Sequence, residues 1–193
     1  MLALLRVYFS ILEEVTPTMP ERSQFRPPPR KKDAAKLWDY ALRALGRRAL
    51  TAAEIRQKLK EKAEDAGDIE PVMAKLREYG YLNDERFAEE YANSRKANQS
   101  FGKMRVLQDL RGRRVGSEIA AQAVGKIYAD TDEVALVEEY IARKFRSYNM
   151  IEYLAEPKHL ASAYRKLRLA GFSSPVVVKV LKRYSERAEE IEE

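Results

Sequence analysis

Basic side chains crowd the stretch from Arg95 to Arg114, which holds seven of them against one acid, Asp109. This stretch alone carries the +6 net charge of the chain, because the charges elsewhere nearly cancel. Such a basic stripe is typical of contact with phosphates or with an acidic protein surface, since binding releases condensed counterions. The alternative is a solvated helix face whose basic side chains cover apolar surface with their stems. The candidate contact residues are Arg95, Lys96, Lys103, Arg105, Arg111, Arg113 and Arg114, with Arg47 and Arg48 as secondary candidates.

The patterns of common catalytic and metal sites are missing from the sequence. Without cysteine, disulfides and thiolate ligands are excluded, which fits a reducing cytoplasm. His159 is the single histidine and has no second histidine for a metal or a proton relay, so a surface or capping role is expected. The carboxylates between Glu61 and Glu70 lack metal-binding spacing, and no phosphate-binding glycine loop or nucleophile elbow is found. The sequence therefore predicts a protein that is not an enzyme and uses no cofactor or metal.

The elements that position the basic stripe form a repeated helical pattern with a period of roughly fifty residues. Amphipathic helices, each followed by a short break and a second helix, surround Leu59, Leu110 and Leu167. The last two copies align without a gap, so that Leu110 and Val115 match Leu167 and Phe172. Stacked helical units of this kind offer long binding surfaces rather than deep pockets.

Local signals place several helix ends. Helices are expected to begin at Asp33, at the Thr51–Glu54 capping box and at Pro71. Gly80 suits a left-handed helix end, and either Asn83 or Asp84 suits the cap of the following helix. The nearby aromatic residues Tyr81, Phe87 and Tyr91 are interpreted as part of the core rather than as a cofactor-binding cluster.

Residues 1–33 differ from the rest of the chain in composition. An apolar opening is followed by Glu13 and Glu14, which argues against a secretory signal, and the apolar run is too short for a membrane span. The proline-rich part predicts an extended linker or basic arm over residues 16–33. Met19 is a candidate alternative start.

Three segments together resemble the RecX family. They are the segment Tyr79 to Tyr91, the pair Arg47-Arg48 ahead of the capping box, and Gly102 followed by Leu107, Leu110 and Val115. The resemblance covers about residues 35–185, and Asn83 departs from it where an aspartate is common. The matching signature residues, expected to be mainly structural, are Tyr79, Gly80, Tyr81, Leu82, Asp84, Arg86, Phe87 and Tyr91.

The resemblance implies an all-α fold of three tandem three-helix repeats in an elongated, curved, right-handed array. We expect an N-terminal extension over 1–33, repeats over 34–82 and 83–128, and a third repeat with a charged tail over 129–193. It also implies a monomeric, cytoplasmic regulator that binds the RecA recombinase filament. Such a protein would inhibit the ATPase, strand-exchange and coprotease activities of RecA and so modulate homologous recombination, DNA repair and the SOS response.

Two alternatives stay open from the residues alone. A general DNA-binding protein would use the basic stripe on single- or double-stranded DNA without RecA, although Phe101 is the one aromatic residue within the stripe. A structural adaptor would instead dock an acidic protein or an amphipathic helix. The sequence does not decide whether the stripe meets protein or DNA, because arginine serves both.

Overall fold

The computed structural model describes residues 31–186 and residue 188, and these residues confirm the all-α prediction. The predictions made for residues 1–30, including the linker and Met19, lie outside the described residues. Within the described part, ten α-helices form three groups, here called the first, second and third bundles. The first bundle contains α1 (Ala34–Leu45), α2 (Ala52–Lys62) and α3 (Ile69–Glu78); the second contains α4 (Asp84–Gln99), α5 (Lys103–Gly112) and α6 (Ser117–Ile127); the third contains α7 (Glu133–Lys144), α8 (Met150–Leu154), α9 (Pro157–Leu169) and α10 (Ser174–Leu181).

The first bundle closes around aliphatic side chains from all three of its helices. The largest fully buried ones are Leu37, Ile55, Leu59, Met73 and Leu76. Their helical spacing places each on the inward face of its helix, where burial removes apolar surface from water. The helix starts predicted at Asp33 and at the Thr51 capping box are confirmed, and Asn83, one of the two candidates, caps α4. The helix expected at Pro71 begins slightly earlier, at Ile69.

The second and third bundles have their own cores, centred on Val106, Leu110 and Val124 and on Leu154, Leu167, Phe172 and Leu181, respectively. The third bundle departs from the expected three helices, because the short helix α8 is inserted before α9. Asn149 caps α8 by accepting a hydrogen bond from the Ile151 amide.

Helices α5 and α9 end in the same way. In each, a residue in the left-handed conformation follows the last turn, namely Arg114 with φ 60° and Gly171 with φ 93°. The next amide then donates back to a buried leucine carbonyl, Val115 to Leu110 and Phe172 to Leu167. This is the Schellman arrangement, and its equivalence in the two bundles agrees with the gapless sequence alignment.

The second and third bundles meet where α9 ends against the start of α5. No side chain caps α5; instead, the amides of Gly102 and Met104 donate to the carbonyls of Ala170 and Gly171 at 2.8 and 3.2 Å. A Cβ atom on Gly171 would lie 2.2 Å from the Arg105 nitrogen, and one on Gly102 would lie 2.4 Å from the Gly171 backbone. Two glycines are therefore required for the backbones to approach this closely.

We expect Gly171→Ala to lower the free energy of unfolding by at least about 2–3 kcal/mol, because it combines a backbone collision with a positive φ. Gly125→Ala is the matched control, since a Cβ atom there would meet nothing within 4 Å in a helical position. That variant should gain roughly 0.5–1 kcal/mol. Urea unfolding measures both, and equal effects of the two substitutions would contradict the close approach.

Candidate partner-binding surface

The nine predicted contact cations fall into two groups in the structure. Arg95, Lys96, Arg105 and Arg113 are half-buried and bonded within the chain. The other five are exposed: Arg47, Arg48, Lys103, Arg111 and Arg114. Four of the predicted contact cations therefore stabilise the fold, and five are available to a partner. The sequence alone did not distinguish the two groups.

Arg113 joins the second bundle to the first. Its Nη2 donates to both carboxylate oxygens of Glu54, at 2.9 and 3.2 Å, and its Nε donates at 3.2 Å. Nη2 also donates to the Ala49 carbonyl. The guanidinium lies over the rings of Phe87 and Tyr91, at 4.6 and 5.6 Å from their centroids. With each side chain of the ion pair only 21% exposed, Arg113 is a joint between bundles rather than a free surface cation.

Two side chains at helix starts, Thr51 and Asp84, add to this joint. The buried Thr51 hydroxyl accepts from the Glu54 amide within the capping box and donates to the Arg113 carbonyl at 2.9 Å. Asp84, at the start of α4, accepts from the Ala52 amide at 2.8 Å. The first turn of α2 is thus satisfied partly by the second bundle. The capping box was predicted from the sequence, but its contacts with Arg113 and Asp84 were not.

The carboxyl group of Glu54 has a pKa below its usual range. Burial acts to raise this pKa, but the hydrogen bonds from Arg113 and from the Thr51 amide outweigh it, helped by the charges of Arg113 and Arg48. Glu54 is therefore held as a carboxylate at neutral pH, and the joint is charge-assisted.

Three further cations of the basic stripe support the second bundle and its junction with the third. Lys96 donates to the Ile127 carbonyl at 3.0 Å. Arg105 pairs with Asp109 at 2.9 Å and also donates to the Leu169 carbonyl. Arg95 donates to Gln99 and covers the Tyr91 ring. These three side chains therefore form their contacts within the chain. They behave as the alternative interpretation predicted, in which basic side chains cover the protein's own surface with their stems.

A basic surface remains on one side of the joint between the first two bundles. A groove of about 310 Å³ is lined by Arg48, Lys58 and Arg114, together with the acids Glu54 and Glu61. Glu54 is already paired with Arg113. Arg111 is exposed in the last turn of α5, and Arg47 is exposed next to Arg48. We call Arg47, Arg48, Lys58, Arg111 and Arg114 the seam surface.

Arg114 holds its position on the seam surface at a conformational cost. A left-handed residue that is not glycine is disfavoured by about 1–2 kcal/mol. The equivalent position in the third bundle is Gly171. Glycine at this position would relieve the strain. The presence of arginine instead indicates that its side chain has a function.

The signature segment is divided between structure and surface. Gly80 has φ 72°, Leu82 and Phe87 are buried, and Tyr91 lies beneath Arg113. Arg86 is exposed and paired with Glu90. The core interpretation is wrong for Tyr81, which is 51% exposed, and the signature residue Tyr79 is 61% exposed. Both rings contact Trp38 on the surface, because the chain turns outward at Gly80 before Leu82 returns to the core.

Among the described residues there is no cluster of three or more potential metal ligands. His159, predicted to have a surface or capping role, stacks on Tyr153, and its Nδ1 lies 3.1 Å from the Tyr153 carbonyl oxygen. The helices described here are also too short or too polar to span a bilayer.

Comparison with known proteins gives the same repeat pattern at the sequence level. The first three-helix domain of RecX matches residues 38–76, and the second matches residues 83–124. The regulatory protein RecX of Syntrophotalea carbinolica is 30% identical over 140 residues, covering 72% of this chain and 90% of that protein. The chain belongs to the RecX family. The regulatory protein RecX of Deinococcus radiodurans is also 30% identical, over 83% of this chain and 74% of the relative.

Solved RecX structures share the fold. The crystal structure of RecX from Lactobacillus salivarius superposes with a TM-score of 0.62 at 19% identity, covering 79% of this chain and 97% of that one. A second RecX crystal structure gives a TM-score of 0.60 at 23% identity, covering 76% and 70% of the two chains. The relatives of this family member are thus named regulatory proteins, and their fold is the one found here.

We expect Glu54→Gln to destabilise the protein by about 1–3 kcal/mol at neutral pH, because it removes a charge-assisted hydrogen-bonded pair. The folded-state pKa of Glu54 is lowered, so its contribution is complete above the ordinary carboxyl pKa and is lost as the pH falls through the lowered value. The difference between wild type and variant should therefore shrink between about pH 6 and pH 3. Urea unfolding across this range measures it; a constant difference would show that the joint does not depend on the Glu54 charge.

Proposed function

We propose that this chain regulates a RecA recombinase by binding the RecA filament on single-stranded DNA, with the seam surface as one contact. Membership of a family of regulatory proteins named RecX supports the partner. The cations of the seam surface support the place of contact, because four of the five are exposed and such a surface favours an anionic partner. The observation that carries the proposal is Arg114, an exposed cation kept in a strained conformation.

The joint gives the seam surface a fixed geometry. Arg47 and Arg48 come from the first bundle, whereas Arg111 and Arg114 come from the second. Because Arg113 and Thr51 hold the two bundles together, little conformational freedom is lost when cations from both bundles meet one partner. Several modest contacts on one rigid surface then act together through their effective concentration.

Inhibition requires no chemistry from this protein. A rigid chain bound across neighbouring filament subunits would oppose the rearrangements that couple ATP turnover to filament growth. Lower ATP hydrolysis, strand exchange and coprotease activity would follow from that single restraint, with the effects on recombination and the SOS response as consequences. Added salt also weakens the electrostatic attraction between exposed cations and an anionic partner, so inhibition should be salt-sensitive.

Arg113 is excluded from a clean test of this contact. Its replacement would unpair Glu54 and disturb the orientation of the bundles, so lost inhibition would not report on direct binding. The variants must instead change exposed cations that make no contact with Glu54.

We expect Arg111→Ala/Arg114→Ala to need roughly tenfold more protein for half-maximal inhibition of RecA ATP hydrolysis on single-stranded DNA. The control is Lys36→Ala/Lys126→Ala, which removes two exposed charges that are paired with Asp33 and Glu89. The control should inhibit like wild type, because exposed ion pairs contribute little. Equal inhibition by wild type, the double variant and the control would show that the seam surface does not contribute to inhibition. Inhibition that tracks sequestration of DNA by the protein alone would favour the general DNA-binding alternative.

Arg114→Gly should change stability and function in opposite directions. Removing the left-handed strain should raise the free energy of unfolding by about 0.5–1 kcal/mol, while losing the cation weakens inhibition. Arg111→Gly is the matched control: it loses the same charge from a right-handed helical position and should be destabilised by about 1 kcal/mol. Urea unfolding and the ATPase assay measure the two effects. Full inhibition by a stabilised Arg114→Gly protein would mean that the side chain is not needed.

A further inference from the structure

The part of the chain that follows the basic stripe carries separated acidic and basic segments, which its total charge conceals. Residues 115–142 hold six acids and one base, whereas residues 143–168 hold seven bases and two acids, so that −5 and +5 cancel. Both acids of the basic part are engaged: Glu152 accepts from the Asn149 side chain at 3.0 Å, and Glu156 pairs with Lys158 at 2.7 Å. The turn between α7 and α8 therefore lies in a region of excess positive charge.

Aromatic rings are stacked beside this turn. Tyr153 and His159 are parallel, with an interplanar angle of 4° and centroids 4.4 Å apart, and Tyr148 lies 4.5 Å from Tyr153 on a tilted ring. The buried Phe145 contacts Tyr148 and Tyr153 from below, at 6.5 and 5.9 Å. The rings thus form a supported array in which Tyr148 stays 52% exposed.

Cations without partners flank the exposed ring. Lys144 ends α7, Arg146 follows it, and both are exposed, with no side-chain hydrogen bond or ion pair to any residue that the structure describes. Lys166 lies over Phe145, with its Nζ 5.3 Å from the ring centroid. The neighbouring Arg143 donates to the Asn98 carbonyl at the end of α4, which joins this region to the second bundle.

We propose that Tyr148, Lys144 and Arg146 form a base-stacking site for single-stranded nucleic acid. An exposed ring on a rigid aromatic support offers a face to an unpaired base, and the adjacent cations meet the phosphates on either side. Duplex DNA fits less well, because its base faces are already stacked. An acidic peptide would use the cations but leaves the ring array without a role. This site deepens the proposed function and rests on it for the biological ligand, since a RecA filament contains a single strand.

The test uses the full chain without RecA. Fluorescence anisotropy follows binding to a labelled oligothymidylate of about 15 nucleotides, at several salt concentrations. Tyr148→Ala should weaken binding roughly tenfold, while Tyr148→Phe should keep most of the affinity. Lys144→Ala/Arg146→Ala should reduce the slope of log K against log salt by about 1.4, which is 0.7 for each lost phosphate contact.

Matched controls separate this site from general charge and aromatic content. Tyr79→Ala removes another exposed tyrosine, and Lys36→Ala/Lys126→Ala removes two other cations; both should bind the oligonucleotide like wild type. An abasic strand of equal length should bind the wild type as weakly as oligothymidylate binds Tyr148→Ala.

Three results would overturn the site: no measurable binding by wild type, an unchanged affinity of Tyr148→Ala, or equal affinity for the abasic strand. Circular dichroism of each variant confirms that it is folded. Because RecA is absent, failure here leaves the filament proposal standing, and failure of the ATPase assay leaves the oligonucleotide result standing.

Discussion

The ion pair between Arg113 and Glu54 is the constraint on which the arrangement of the first two bundles depends. Each bundle buries its own apolar side chains, and no residue belongs to both cores among those described. What fixes one bundle against the other is polar: the two carboxylate oxygens of Glu54, the Thr51 hydroxyl and the Asp84 carboxylate. Polar contacts of this kind are directional, so they define an orientation more sharply than apolar contact does.

The two junctions between bundles are built differently. The second and third bundles share Phe101 and Tyr128 as packing partners, and the Tyr128 hydroxyl donates to the Phe101 carbonyl at 2.6 Å. Burial raises the pKa of Tyr128 far above its ordinary value, so this hydroxyl stays protonated. Backbone amides and carbonyls complete that junction at Gly102 and Gly171. The first junction therefore depends on charged side chains, whereas the second is distinguished by close backbone contact, to which Arg105 and Arg143 add hydrogen bonds.

Much of the fold was predictable because its signals are local. The capping box at Thr51, the glycine end at Gly80 and the cap at Asn83 each involve residues within a few positions of one another. The role of Arg113 was not predictable in this way, since Glu54 lies 59 positions away and nothing in the basic stripe distinguishes Arg113 from Arg114. The exposure of Tyr79 and Tyr81 likewise depends on how the chain leaves α3.

Two further features of the structure are encoded in the sequence. The alignment of Leu110 with Leu167 also aligns Arg114 with Gly171, which indicates a left-handed arginine. The basic half of the third bundle is also visible in the sequence when charge is summed over a short window, because residues 143–168 sum to +5. The inserted helix α8 has no counterpart in the other bundles, so the repeat pattern gave no reason to expect it.

The backbone contact between α5 and the end of α9 also has a consequence for synthesis on the ribosome. The first amides of α5 receive their acceptors from Ala170 and Gly171, which are made almost seventy residues later. The second bundle therefore leaves the ribosome with one helix start still solvated by water, and it reaches its final form only when the third bundle docks. The repeats look modular in sequence, but removing the third one would leave the start of α5 without its hydrogen-bond acceptors.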